Sequence, residues 1–199
     1  MMLSAAAEAL TSENPWAGRD PFLDRLDSSL SREDPIETAH RTIDLIHLSW
    51  LQSGSAEDAE GVTVNDRNRM IAELHRIVDT PYGSDPGVFE EDPVDGAFNT
   101  KVGQLRRVIP RYQATAAQRQ LVKAGIELRR AALSDAVYPE DPSSIPELVD
   151  PEPFTGLPLV YAVSDDGSAV VELDGADSLL TQVVLKRAAR IPPIHLPAL

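Results

Sequence analysis

A chain of 199 residues, 42% hydrophobic and 25% charged, has an ordinary globular composition and is long enough to bury a real core. Its 32 acidic and 18 basic residues leave a net charge of −14, which argues against unaided nucleic-acid binding because a phosphate backbone would be repelled. The absence of cysteine excludes disulfide frameworks, thiolate zinc sites and cysteine nucleophiles.

The opening MMLSAAAEALTSENPW lacks the basic flank of a signal peptide, and no run approaches the roughly 18 apolar residues of a membrane span, so the chain as given reads as soluble. The first strong helix is predicted to open at Asp34, with Asp34 as N-cap, Pro35 at the first helical position and Glu37 closing a capping box. Ile36, Ala39, Ile43, Ile46 and Trp50 recur at spacings of three and four, which makes one face apolar. Thr63 with Asp66 caps the next helix, whose stripe is Met70, Ile71, Leu74, Ile77 and Val78 and whose end is Pro81. A proline- and acid-rich loop follows from Tyr82 to about Gly96, then a helix over Phe98 to Ile109. Ala117, Leu121, Ala124, Leu128 and Ala132 step by four, three, four and four and predict a long helix near 112–134, with Arg119, Lys123, Arg129 and Arg130 on its wet flanks. The period then changes: LPLVYAV and SAVVEL flank the turn sequence SDDG and predict a β-hairpin. Residues 176–190 suit either a short amphipathic helix or a strand.

Between the long helix and the hairpin lies YPEDPSSIPELVDPEPFTGLPLVY. Pro139 biases Tyr138 out of the helical region, one helical turn at SSIPELV lays Ile145 and Leu148 on the core, and Gly156 is free to take positive φ. The stretch reads as a rigid corner folding a hairpin back onto a helix. Its residues Tyr138, Pro139, Leu148, Asp150, Pro151, Phe154, Thr155, Gly156, Pro158, Leu159 and Tyr161 make a pattern that resembles the soluble end of type II secretion major pseudopilins. It resembles more closely a set of uncharacterised bacterial proteins, many from planctomycetes, that end in DPFTGxPLxY. The resemblance covers roughly residues 112 to 175. Glu152 and Pro153 are inserted relative to it, and the apolar N-terminal helix of pseudopilins, with its glutamate, is missing from this sequence. The resemblance implies an envelope protein with this module outside the cytoplasm and no known reaction. It also implies calcium after the hairpin, where Asp174 and Asp177 stand, with Asp165 and Asp166 in the preceding turn; Asp-Gly is equally ordinary turn chemistry.

His40, Asp44 and His47 form a candidate transition-metal set, since they fall within about 60° of one another on a helix. No HExxH pattern accompanies them, and they border the apolar stripe, where a packed helix edge explains them equally. His75 and His195 are isolated in sequence and read as structural or surface residues. The acid cluster Glu90, Glu91, Asp92 and Asp95 reads as solvated, and Trp16 and Trp50 as core anchors. The basic C-terminal segment with Lys186, Arg187 and Arg190 offers Leu179, Leu180, Val183 and Val184 either to the domain's own core or to a membrane surface.

The expected fold is α+β, predominantly α: a helical region over 1–110, then 111–199 with the long helix, the proline-rich corner and a small antiparallel β-hairpin, in one continuous unit. The leading functional expectation is a non-enzymatic structural or interaction protein, the exported soluble part of an envelope-associated protein. Its partner is another protein; nucleic acid is not expected, and membrane contact runs through a segment outside this chain or through the basic C-terminal stretch. One alternative is a metal-assisted hydrolase using His40, Asp44 and His47. Another is a cytoplasmic acidic protein that binds a basic partner. No cofactor other than calcium is suggested.

Overall fold

The computed structural model describes residues 3, 10, 20–31, 34–52, 63–85, 87, 97–135, 137–173 and 182–186. Among them the chain forms α1 (Asp20–Leu30), α2 (Pro35–Gln52), α3 (Val64–Val78), α4 (Ala97–Asp135), a 3₁₀ turn (Pro142–Ser144), the single turn α5 (Pro146–Val149), and strands β1 (Val160–Val163), β2 (Ala169–Glu172) and β3 (Gln182–Leu185). The fold is α+β and mostly helical, with a small antiparallel sheet at the C-terminal end.

Local chemistry sets the helix starts. At α2 the Asp34 carboxylate accepts from the Ile36 amide at 2.9 Å, and the Glu37 carboxylate reaches forward to Arg41 at 2.8 Å. At α3 the Thr63 hydroxyl accepts from the Asp66 amide and the Asp66 carboxylate accepts from the Thr63 amide, which satisfies two helix-end donors reciprocally. The Thr63 hydroxyl, which donates to Asp66 Oδ2 at 2.6 Å, and then the Thr63 amide hold the Asp66 carboxyl below the usual carboxylate range. The predicted stripes face inward: Ala39, Ile43, Ile71, Leu74, Ile77 and Val78 are buried and join Ile109 in one core.

Helix α4, at 39 residues, is the axis of the molecule. It is continuous through Pro110, where two helices separated near residue 110 were expected. Proline lacks the N–H that would bond the carbonyl of residue 106, so one helical hydrogen bond is missing there. Burial on both sides of the gap holds the helix together: Ile109 is buried, and one turn on Gln113 is fully buried. The N-terminal half of α4 closes the α2–α3 core through Val102, Leu105, Ile109 and Tyr112. Its C-terminal half carries Ala117, Leu121, Ala124, Leu128 and Ala132 into a second core with α1, the proline corner and the sheet. Each large aliphatic side chain so buried contributes roughly 1.5–3 kcal/mol.

Three polar side chains of α4 donate to main-chain carbonyls of other parts of the chain. The Gln113 amide donates to the carbonyls of Ile77 (3.3 Å), Val78 (3.0 Å) and Thr80 (2.7 Å), at the end of α3. Gln120 donates to Glu147 (3.0 Å) and Asp150 (2.9 Å), at the end of α5. Arg129, expected on a wet flank, is buried and donates to Lys186 (2.9 Å) and Leu10 (3.1 Å). Arg130 does face solvent, bridging Asp24 at 2.7 Å and Asp27 at 3.4 Å on α1 and pairing with Glu127 on its own helix.

In the sheet, β1 pairs β2 with Val160 opposite Glu172, around a Ser-Asp-Asp-Gly turn whose Gly167 takes φ 79°. Within the ambiguous segment, residues 182–185 form a third strand, antiparallel to β2 with Val171 opposite Val183. Val183 and Leu185 are fully buried and Val184 is exposed, so this strand turns one face to the domain's own core. Replacing Gln113 with leucine leaves the carbonyls at the end of α3 without their donor. The expected loss is about 2 kcal/mol in chemical denaturation, while the exposed Gln104→Leu on the same helix leaves the midpoint unchanged.

Candidate functional site

The proline corner is clamped by Glu152. The Glu152 side chain is buried, and its two oxygens accept from the Phe154 amide at 2.6 Å, the Thr155 amide at 2.5 Å and the Thr155 hydroxyl. Main-chain bonds close the loop, with Glu152 N–H to the Leu157 carbonyl and Gly156 N–H to the Glu152 carbonyl, each at 3.0 Å. Gly156 sits at φ 77° with Pro81 packed where a side chain would begin. The corner docks on the loop after α3: Gly83 N–H donates to the Phe154 carbonyl at 2.8 Å and the Tyr82 and Phe154 rings stack at 5.4 Å. A Cβ on Gly83 would lie 2.9 Å from the Thr155 Cα, so glycine is needed for this approach.

Two tyrosines fix the corner to its neighbours. The Tyr138 hydroxyl donates to the Lys186 carbonyl at 2.8 Å, and the Tyr161 hydroxyl donates to the Pro139 carbonyl at 2.7 Å. Burial pushes both phenols up to about 12. Leu148 and Leu159 are buried and Phe154 packs on the same core, whereas Asp150, Pro151 and Pro158 lie on the surface, where they shape the backbone.

The candidate metal set divides in the structure. His40 and Asp44 both turn to α3 and meet His75, which the sequence had left isolated. His47 bonds the Asn68 amide oxygen at 3.1 Å, one end further along, with its ring 6.0 Å from Trp50. Trp50 is only partly buried; the buried Arg67 guanidinium covers its ring at 4.0 Å, and burial pulls that guanidinium's pKa down. At the other end, His40 Nδ1 lies 2.8 Å from His75 Nδ1, His40 Nε2 lies 3.0 Å from Asp79 Oδ1, and His75 Nε2 lies 3.1 Å from Asp44 Oδ1. Four side chains therefore form one chain, Asp79–His40–His75–Asp44, across the α2–α3 seam. Among the described residues no three or more His, Cys, Asp or Glu side chains are arranged as a metal-ion ligand set.

Of the calcium candidates, Asp166 Oδ1 accepts from the Ser168 amide at 2.9 Å and the Ser168 hydroxyl at 2.6 Å, with Asp165 exposed beside it in the β1–β2 turn. Asp174 and Asp177 lie outside the described residues, as do Trp16, Glu90, Glu91, Asp92, Asp95, His195 and the basic residues beyond Lys186. A solvent-open groove of about 270 Å³ lies between the start of α2, α4 and the corner, where Asp34, Glu147 and Asp150 face Arg119 and Lys123. That is below the roughly 300–1,000 Å³ of small-molecule pockets, and its mixed charge favours no ligand class. The outer face of α2 exposes Leu45, Leu48 and Leu51 at 60%, 51% and 51%, a three-residue step that sets them along one line.

Comparison of the chain with protein-family models, with curated proteins and with solved structures finds no match. No helix among the described residues is long and apolar enough to cross a membrane. The residues that sequence reading missed, Glu152, His75 and Asp79, differ in how findable they were. Glu152 stands two and three residues before the amides it accepts from, the spacing of a helix N-cap, so its local signal was there to be read. The partners of His75 are 31 and 35 residues away and leave no local trace. Glu152→Ala removes a charged acceptor shared by three donors, and the expected destabilisation is about 3 kcal/mol. Urea denaturation checks it, with Glu140→Ala at an exposed position nearby as the control that leaves stability unchanged.

Proposed function

We propose that this chain is a non-enzymatic structural or interaction protein, the soluble part of an envelope-associated assembly, with a pseudopilin-like C-terminal half. The observation that carries the reading is the architecture of that half. A long helix ends in a clamped proline corner, which lays a small antiparallel sheet back along the helix. Such a unit presents fixed surfaces and encloses little space, which suits contact with protein partners better than turnover of a small substrate.

The line of Leu45, Leu48 and Leu51 on α2 supports the interaction part of the reading, since three large apolar side chains in a row on solvent are a feature of helix-in-groove contacts. The excess of acidic residues adds that a partner surface would carry basic groups at its rim.

The test is made at the native locus with an epitope-tagged chain. Fractionation should recover the protein with the cell envelope, and chemical cross-linking should shift it into a discrete species above its own mass. The double substitution Leu45→Ser and Leu48→Ser should abolish that species while the purified variant keeps its circular dichroism spectrum and melts within about 2 °C of the parent, as surface changes do. Recovery of the tagged chain as an uncross-linked monomer in the cytosolic fraction would overturn the proposal.

A further inference from the structure

The four-residue chain across the α2–α3 seam carries an inference about protons. The carboxylates of Asp44 and Asp79 only accept hydrogen bonds, so the imidazole nitrogens they face, His75 Nε2 at 3.1 Å and His40 Nε2 at 3.0 Å, both carry hydrogen. That assignment leaves the two Nδ1 atoms facing each other at 2.8 Å. The ring planes are 14° from parallel and the ring centroids are 5.1 Å apart, the Nδ1 gap plus one ring radius on either side. The rings thus lie nearly in one plane and meet head-on, with both Nδ1 lone-pair axes on the same line.

Two neutral imidazoles would set lone pair against lone pair at this distance, and two imidazolium ions would set hydrogen against hydrogen. One proton between them satisfies both. A metal ion in its place fits poorly: with zinc–nitrogen bonds near 2.0–2.1 Å, two nitrogens on a tetrahedral zinc stand about 3.3 Å apart, and on a linear ion about 4 Å apart. The observed 2.8 Å is shorter than both and ordinary for N–H···N.

We propose that His40 and His75 hold a single shared proton between their Nδ1 atoms, flanked by Asp79 and Asp44, and that this pair is a pH-sensitive latch joining α2 to α3. The pair carries one positive charge between two carboxylates. Acidification adds a second proton and drives the two N–H groups against each other; alkalinisation removes the shared proton and leaves two lone pairs in contact. The latch is tightest at intermediate pH and weakens on either side, and histidine is the side chain that ordinarily titrates between about pH 5 and 8.

Other charges near the latch are engaged among themselves. On α2, Glu37 pairs with Arg41; on α3, Glu73 pairs with Arg76, which also feels Asp85 in the following loop. From α4, Arg106 acts on Glu73, and the side chains packed against the α2–α3 core are Val102, Leu105, Ile109 and Tyr112. The rings are about 28% and 29% exposed and their carboxylates more than half exposed, so the latch exchanges protons with solvent without unfolding.

Imidazole nitrogen NMR on the full chain reads the protons directly. At pH 7 the expected spectrum has both Nε2 atoms protonated in His40 and His75, and one Nδ1 hydrogen coupled to, or averaged over, the two rings. In parallel, melting temperatures are compared from pH 5 to pH 9 for the parent, His40→Gln and His47→Gln. The deficit of His40→Gln should peak near pH 7 at about 3 °C and fall to less than half of that by pH 5 and by pH 9. The His47→Gln control, whose imidazole bonds Asn68, should show a deficit that does not peak. Two separately neutral rings with no Nδ1 hydrogen, or a His40→Gln deficit flat across the range, would overturn the shared proton. A melting temperature raised by stoichiometric zinc in the parent but not in His40→Gln would overturn it in favour of a metal pair. Failure of His40→Gln to fold leaves the NMR spectrum of the parent to decide.

Discussion

Main-chain carbonyls at the ends of α3 and α5 and beside β3 are each met by a polar side chain from the same helix. Gln113 and Gln120 share one side of α4 and Arg129 stands on the other, so that the helix receives three separate parts of the chain. A buried carbonyl without a donor costs about 1–3 kcal/mol, so these side chains decide where the α3 loop, the corner and the third strand dock. The apolar stripe of α4 supplies most of the driving force, and its polar positions supply the register. Because α4 is common to both cores, the helical region and the sheet are bound to one element.

The corner completes that arrangement on the opposite side of the α3 loop. Gln113 holds the end of α3 from within, and Gly83 and Tyr82, a few residues on, receive Phe154 and Thr155. Glu152 keeps those two residues in the conformation that makes the contact possible. A stretch dense in proline can thus be rigid without regular structure: proline limits the available backbone angles and one buried carboxylate selects among them.

The legible parts of the sequence were local. The Thr63–Asp66 capping box, the stripes of α2, α3 and α4, the Gly167 turn and the positive φ of Gly156 all follow from spacings of a few residues. The parts that were not legible depend on distant partners. Pro110 would end a helix in isolation, and only burial of Ile109 and Gln113 against α3 carries α4 through it. Gln182 to Leu185 reads equally as helix or strand until β2 offers an edge to pair with. Arg129 looked like a surface cation because its acceptors are the carbonyls of residues 57 and 119 positions away. His40, Asp44 and His47 were singled out as a set on one helix face, of which His40 and Asp44 belong to the chain across the seam and His47 does not. Their meeting with His75 required knowing how α2 lies against α3.

Amide hydrogen exchange on the intact chain tests most directly whether α4 makes one cooperative unit of the two cores. If it does, the slowest amides of α3, over residues 71–78, and those of β2, over 169–172, open with free energies that agree within about 0.5 kcal/mol, as amides limited by global unfolding do. If the α2–α3 core instead opens at a cost about 2 kcal/mol or more below that of the sheet, α4 does not couple them, and the two cores are independent folding units on one helix.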